Sequence, residues 1–361
     1  MPGSRVPALR VLDARDAADR RAWLAAWQAW PAREVFAHPG YVTLSATDGA
    51  RPLAALLETA DGTVLYPFLL RPVPVEIGDD APQAYDLTTP YGYGGPFAWD
   101  VADAAHLAGL FWGPFDAWCA EQTVVSEFVR FALDPSALLP FPGHTESRAL
   151  NVTRSLDLSP ESLWMDAEHK VRKNVRRARE SGVTVETDET GKRLGAFLEV
   201  YEATMERRGA RAHYSFARSY YEAIHRDLAG QFVYAFALHA GQVVSAELAL
   251  VSAEALYSFL GGTRAEAFAL RPNDLLKVEL MRWGQERGKR AFVLGGGYTP
   301  GDGIYRYKAS FAPSGSVPFV VGTRVHDAAR YAALVARRRA HAEAADEAWE
   351  PAADFFPAYR A

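Results

Sequence analysis

Lysine is scarce in this chain: of 39 basic residues only six are lysines (170, 173, 192, 277, 289 and 308), leaving 33 arginines. One of the six, Lys308, lies in the stretch GGGYTPGDGIYRYKASF (295–311), between Tyr307 and Phe311. Where arginine is the default cation, a lysine in that position points to a need for a compact ammonium on a rotatable stem. The glycines ahead of it suggest backbone lying close to an anion. No Gly-x-x-x-x-Gly-Lys-Ser/Thr can be laid over them, however, and no Gly-x-Gly-x-x-Gly opens a helix after them, so by themselves they read as a tight turn. The segment after them reads as a strand that carries Lys308 between aromatic residues.

Other residues could share that chemistry. Glu247 interrupts the apolar strand VVSAELAL, so it either faces solvent or is a buried carboxylate with a raised pKa, a candidate base. Asp274 and Asp302 sit in turns, where an aspartate commonly bonds its own backbone. Asn273 and Asp274, just after Pro272, read as the N-cap of the following helix, which would aim that helix's positive end at an anion. The nine histidines show no His-x-x-x-His spacing, and His213 and His225 stand twelve apart, so no metal site is predicted.

A concentrated basic patch lies at DAEHKVRKNVRRARESGV (166–183). Acidic residues open the segment and Ser181-Gly182 closes it, as in a capped helix. At 100° per residue, Val171, Val175 and Ala178 form one narrow apolar stripe, while Lys170, Arg172, Lys173, Arg176, Arg177 and Arg179 fill the remaining circumference. No acidic residue interrupts the run between His169 and Arg179. A solvated surface helix would explain it, and so would a polyphosphate partner: RNA, a nucleotide diphosphate or an anionic lipid surface.

The elements that must position these residues occur twice. PLAALLETADGTVLYPFLLRPV (52–73) reads as a hairpin about Asp61-Gly62, and QFVYAFALHAGQVVSAELALVS (231–252) as its counterpart about Ala240-Gly241. Each is followed by an aromatic strand that runs into glycines, then an amphipathic helix, then a short strand, SEFVRFAL or RAFVLGG. Two helical segments precede each hairpin. The offset between matched pieces is about 165 to 180 residues, a domain length and not the 20 to 50 of a solenoid. The fold class is therefore α/β (α+β): two tandem copies of a mixed sheet flanked by helices, with the order of GNAT acetyltransferases. The Pro-Gly loop at 141–143 gives domains of 1–150 and 151–324, the first completed by a C-terminal helix within 325–361.

Bulk properties bound the partners. A chain of 361 residues, 49% apolar, can bury two such cores. Its net charge of −5 excludes an overall nucleic-acid coat, so any polyanion is met locally. The lone Cys119 reads as a buried thiol in a reducing compartment. No segment approaches the roughly 18 apolar residues of a membrane span, which places the chain in the cytoplasm with any membrane contact peripheral.

The pieces YGYGGPF (91–97), HKVRKNVRRARESGV (169–183), LRPNDLLKVELMRWGQERG (270–288) and LGGGYTPGDGIYRYKASFAP (294–313) together resemble the FemABX peptidoglycan-bridge aminoacyltransferases of the GNAT-like superfamily. The resemblance implies two GNAT-like domains in the compact form, without a long helical arm, and a final helix returning to the first domain. It implies transfer of an amino acid from aminoacyl-tRNA to an amine of a UDP-linked or lipid-linked muropeptide. By position, Lys308 resembles the lysine that contacts substrate diphosphate and steadies charge at the reacting carbonyl. Tyr257 resembles a substrate-contacting tyrosine, and Arg211 and Tyr214 an arginine and tyrosine that grip phosphate. Tyr91 and Tyr93 match a loop of the first domain facing the cleft. Asn273 and Arg306 complete the candidate substrate-binding set, and Lys170, Arg172, Lys173, Arg176 and Arg177 form the candidate tRNA-binding set.

The expected reaction is direct attack of an amine on an activated ester, with no cofactor beyond the aminoacyl-tRNA co-substrate. Acyl-CoA is the alternative donor. CoA use in this fold goes with an Arg/Gln-x-x-Gly-x-Gly/Ala turn, which TRAEAFALRPND and YGYGGPFAWDVAD both lack. A non-catalytic module binding a nucleotide-sugar or RNA is the alternative of another class.

Overall fold

The structure is a computed structural model that describes residues 8–47, 49–77, 83–209, 216–353 and 355–361. In chain order the first part runs β1 (Arg10–Asp13), α1 (Ala17–Ala29), α2 (Pro39–Leu44), β2 (Arg51–Thr59), β3 (Gly62–Pro72), β4 (Tyr85–Thr88), β5 (Phe97–Trp99), α3 (Ala104–Glu121) and β6 (Val124–Arg130). There follow β7 (His144–Ser155), α4 (Pro160–Asp166), α5 (His169–Glu180), β8 (Thr184–Asp188), α6 (Leu194–Arg208), α7 (Arg218–Asp227), β9 (Phe232–His239) and β10 (Gln242–Val251). The remainder is β11 (Ala255–Thr263), α8 (Pro272–Glu286), β12 (Ala291–Gly295), α9 (Gly303–Ala309), β13 (Ser316–Val325) and α10 (Ala328–Ala344).

The chain divides into two compact units, one of residues 1–30, 36–148 and 319–361, the other of 31–35 and 149–318. In the first, the strands run β1-β2-β3-β4-β6-β13, antiparallel except for the parallel pair β4 and β6, and β5 adds to β3. In the second they run β7-β12-β11-β10-β9-β8, with β11 and β12 the parallel pair. Both units thus repeat one mixed α/β plan, and among the described residues no long helical arm interrupts the second, whose longest helices have 15 residues.

The repeated order is longer than the sequence suggests, because each copy opens with a strand, β1 or β8. These edge strands have only four and five residues, too few to show an apolar alternation that would betray them. The hairpin turns behave as their residues dictate. Ala240 and Gly241 both take positive φ (48° and 77°), the primed turn whose twist matches that of the flanking strands.

Each core lies between sheet and helix. In the first unit Tyr66, Phe68, Phe111, Trp112, Phe115 and Cys119 pack together. In the second, α8 lies across β9, β10 and β11, burying Leu275, Leu276 and Leu280. The stripe of Val171, Val175 and Ala178 on α5 is buried in that same core. No described helix is long and apolar enough to cross a membrane.

Candidate active site

β11 builds the site by losing a neighbour. Ala255 to Tyr257 pair with Ala291 to Val293 of β12, but beyond Tyr257 the pairing stops and β12 continues against β7. Phe259 is an extra residue in the β11 ladder against β10, a bulge that bends the strand where the separation starts. Ser258 to Thr263 therefore keep a strand on one side only. On the other side opens a cavity of about 760 Å³, walled by the last turns of α6, the start of α8, and α9 with its preceding loop. Gly262 lets α6 approach: a Cβ there would lie 2.5 Å from Thr204 Oγ1 and 2.9 Å from the Val200 carbonyl. Thr204 Oγ1 in turn accepts from the Thr263 amide at 3.1 Å.

Beneath the cavity lies a buried ion pair. Lys277 Nζ, on α8, donates to Glu247 of β10 at 2.6 Å and to Ser258 Oγ of β11 at 2.7 Å. Both charged side chains are almost fully enclosed, 7% and 3% exposed, and all three residues line the cavity. Glu247 is thus the buried carboxylate of the two sequence readings, but a lysine neutralises it, so it is not a free base.

Lys308 stands on another wall. It lies on α9, a short helix, and not on a strand as the sequence reading expected. Alternating aromatics suggested extension, but Asp302 caps a helical turn: its carboxylate accepts from the amides of Tyr298, Thr299 and Tyr305 at 2.7, 3.2 and 2.8 Å. Those N–H groups hold the Asp302 carboxyl below its ordinary value. The glycine run serves this cap, because a Cβ on Gly297 would collide with the Asp302 carboxylate. The expectation that Asp302 has a structural role in a turn is met. Lys308 Nζ donates to the Gly296 carbonyl at 2.7 Å. Burial first, and then the like charge of Lys277, pull the Lys308 pKa down to about 8, against the opposing pull of Glu247 and Asp302.

The start of α8 also differs from expectation. Arg271, in the left-handed conformation (φ 59°), occupies the N-cap position without a side-chain cap, and Pro272 is the first helical residue. Asn273 and Asp274 are therefore not the cap. Asn273 Nδ2 donates to the Tyr307 hydroxyl at 2.8 Å, and Asn174 Nδ2 of α5 donates to Asp274 at 2.9 Å. Burial raises the Asp274 carboxyl, opposed by Asn174, Arg271 and Lys170. Burial, then Asp274 and Glu247, push the Tyr307 phenol well above its usual value.

The cavity thus brings together Lys308 and Asn273 from the expected set. Arg306 is exposed on the outer side of α9, donating to the Gly301 carbonyl at 2.8 Å. Tyr257 is buried, donates to Glu34 at 2.7 Å, and does not line the cavity. Arg211 and Tyr214 lie outside the described residues. Tyr91 and Tyr93 belong to the first unit: the Tyr91 side chain is largely exposed, while Tyr93 packs edge-on against Phe36 and Phe319. On α5, Lys170, Lys173, Arg176 and Arg177 are exposed. Arg172 donates to the Met165 and Ala167 carbonyls, and the Arg176 guanidinium lies over Trp164, 5.8 Å from its ring centroid.

Lys277 and Ser258 escaped the sequence reading. Lys277 had a signal: it is one of six lysines and falls between Leu276 and Leu280, on the apolar face of its helix, much as Glu247 falls inside an apolar strand. Two lone charges of opposite sign in two apolar elements call for each other.

Residues 166–309, which include every residue lining the cavity, match the family model described as Acetyltransferase (GNAT) domain. No curated protein sequence matches the chain. Among solved structures, the fold is that of FemX, with a TM-score of 0.65 at 13% identity over 87% of this chain and 97% of that one. It is similar also to L-PGS from Bacillus licheniformis, with a TM-score of 0.55 at 12% identity, covering 91% and 98%. A third likeness is the C-terminal domain of a putative lysylphosphatidylglycerol synthetase from Agrobacterium fabrum, with a TM-score of 0.53 at 13% identity, covering 91% and 97%. The segment that matches the GNAT domain model therefore carries the cavity, in a chain whose fold is similar to that of FemX.

Proposed function

We propose that the chain is an aminoacyltransferase that moves an amino acid from aminoacyl-tRNA to an amine of a peptidoglycan precursor or a similar small acceptor. The observation that carries this reading is the cavity itself, where the open edge of β11 and the ammonium of Lys308 line one space within the GNAT domain. In the reaction, the acceptor nitrogen attacks the ester carbonyl carbon and the carbonyl π pair moves to oxygen. Lys308, still mostly protonated at pH 7 with a pKa of about 8, offsets that charge. Collapse breaks the ester C–O bond, and the released ribose hydroxyl takes the proton that the amine gives up. Holding the two substrates in one cavity supplies the positioning this attack needs.

The start of α8 supports a donor other than acyl-CoA. A pyrophosphate at a helix N-terminus needs free amides and no nearby anion. Here Pro272 has no N–H, the Asp274 carboxylate occupies the first turn, and a 3-10 turn (Ala265–Leu270) stands where a glycine loop would be. The exposed Lys170, Lys173, Arg176 and Arg177 suit the phosphates of an RNA donor, whereas Arg172 is engaged at home. Aminoacyl-tRNA being a cytoplasmic substrate, the reaction would run there.

The test mixes the protein with aminoacyl-tRNA labelled in the amino acid and, separately, labelled acyl-CoA, each with a muropeptide precursor. Label should reach the acceptor from tRNA and vanish after ribonuclease. Transfer only from CoA, or transfer indifferent to ribonuclease, would refute the tRNA donor.

A further inference from the structure

The buried ion pair fixes the direction of one hydrogen bond. An ammonium has three donors and no acceptor, so in the contact of 2.7 Å between Lys277 and Ser258 the serine oxygen must accept. The Ser258 hydroxyl proton is then left over. Among the described residues Lys277 is the only hydrogen-bond partner of the Ser258 hydroxyl, and none of them accepts its proton. Lys277 has no freedom to reverse the arrangement, because Glu247 at 2.6 Å holds its ammonium in place.

The hydroxyl belongs to the cavity. Ser258 is the first residue of β11 past the point where β12 leaves it, it is half-buried, and it lines the cavity that also contains Lys308. Accepting from a cation polarises that hydroxyl, so its own proton becomes a stronger donor. A fixed donor facing a space where a carbonyl oxygen gains charge is what acyl transfer needs.

We infer that Ser258 is a catalytic hydrogen-bond donor to the acyl carbonyl oxygen, with Lys277 and Glu247 as positioning residues that hold its hydroxyl proton toward the cavity. This rests on the acyl-transfer reading. As the amine nitrogen bonds to the carbonyl carbon, the oxygen that receives the π pair accepts from Ser258 O–H and faces Lys308. On collapse the π bond re-forms, the ester C–O bond breaks, and Ser258 keeps its proton throughout.

The test measures kcat and KM for aminoacyl transfer by the full chain. Ser258→Ala should lower kcat about 10²-fold, the loss typical of one oxyanion donor, with KM within about threefold of the wild type. Ser258→Thr keeps the hydroxyl and should retain at least a tenth of the rate, whereas Ser258→Cys, a weak donor of similar size, should be nearly as slow as the alanine variant. A merely structural serine would give the reverse order, with cysteine tolerated and threonine not. If the alanine variant does not fold, the comparison of threonine with cysteine decides alone. A wild type that transfers label while Ser258→Ala does so at a rate within threefold overturns the role of Ser258 but leaves the function standing. A wild type that transfers label from no donor overturns both.

Discussion

Replacing Lys308 by methionine should make the protein more stable at neutral pH. Lys308 titrates at about 8 in the folded chain, against 10.5 for an ordinary lysine. The displacement of about 2.5 pH units corresponds to about 3 kcal/mol by which the folded state disfavours the charged form. Methionine removes that penalty but forfeits the bond from Nζ to the Gly296 carbonyl, worth about 1 to 1.5 kcal/mol, so the net gain is about 2 kcal/mol. The sign follows from where the proton is. Below pH 8 both folded and unfolded chains hold it, and the full penalty is present. Between 8 and 10.5 the unfolded chain binds more protons than the folded one, so the wild type regains stability as pH rises. The advantage of Lys308→Met should therefore persist to about pH 7, shrink above pH 8, vanish at about pH 9.5 and be reversed by about pH 10.5, where only the lost hydrogen bond remains. Urea unfolding of both proteins at pH 6.5, 8.5 and 10 reads this directly as the difference in ΔG at each pH, in which all other titrations cancel. A methionine variant less stable than the wild type at pH 6.5, or a difference that does not change with pH, would refute the reasoning. The same variant should lose acyl transfer, because a lysine kept at a cost to stability is one retained for chemistry.

Three further outcomes follow from the same geometry. Lys277→Met alone leaves the Glu247 carboxylate buried without its partner and should destabilise by about 3 to 5 kcal/mol, whereas Lys277→Met with Glu247→Leu should recover most of that; a double-mutant cycle by urea unfolding checks the coupling. Gly262→Ala forces a Cβ against Thr204 and the Val200 carbonyl, so α6 must shift; activity should fall with a loss of about 1 to 3 kcal/mol, read by a thermal melt and a rate assay on one sample. Replacing Lys170, Lys173 and Arg177 by glutamine should weaken tRNA binding and reduce the slope of log K against log salt by about 2 to 3, whereas Arg172→Gln should change stability more than that slope.

The fold class was legible in the sequence because the hairpin, the following helix and the short strand recur in the same order in both halves. A repeated pattern of apolar faces specifies a repeated plan even where no single segment is decisive. The basic helix was legible for the same reason: Val171, Val175 and Ala178 could only be its buried side. What escaped was set by contacts distant in sequence. Lys308 looked extended because its neighbours alternate, but Asp302, six residues earlier, recruits three amides and winds the segment into a helix. Asn273 and Asp274 looked like a cap, but Tyr307 and Asn174 claim their side chains from other elements. No local pattern announces that Ser258 stands where one strand leaves another.

Duplication also explains why one copy holds this cavity. In the first unit the face between β3 and α3 is filled with rings: Tyr66 lies against Phe111, Trp112 and Phe115, all at centroid distances between 5.5 and 6.4 Å. Its polar atom is satisfied internally, with Tyr66 donating to the buried Glu127 at 2.5 Å. Rings of that size exclude space and fix the unit as a packed core. In the second unit the matching region between β10 and α8 has a lysine and a glutamate, which cannot fill space as rings do and must be enclosed by one another and by a serine. The ion pair links α8 to both β10 and β11 at the level where β11 parts from β12. Such a pair adds little net stability over an apolar replacement, so its presence is better explained by what it does to the strand edge and the hydroxyl above it. The double replacement of Lys277 and Glu247 separates the two explanations: a protein that stays folded but no longer transfers acyl groups would assign the pair to chemistry.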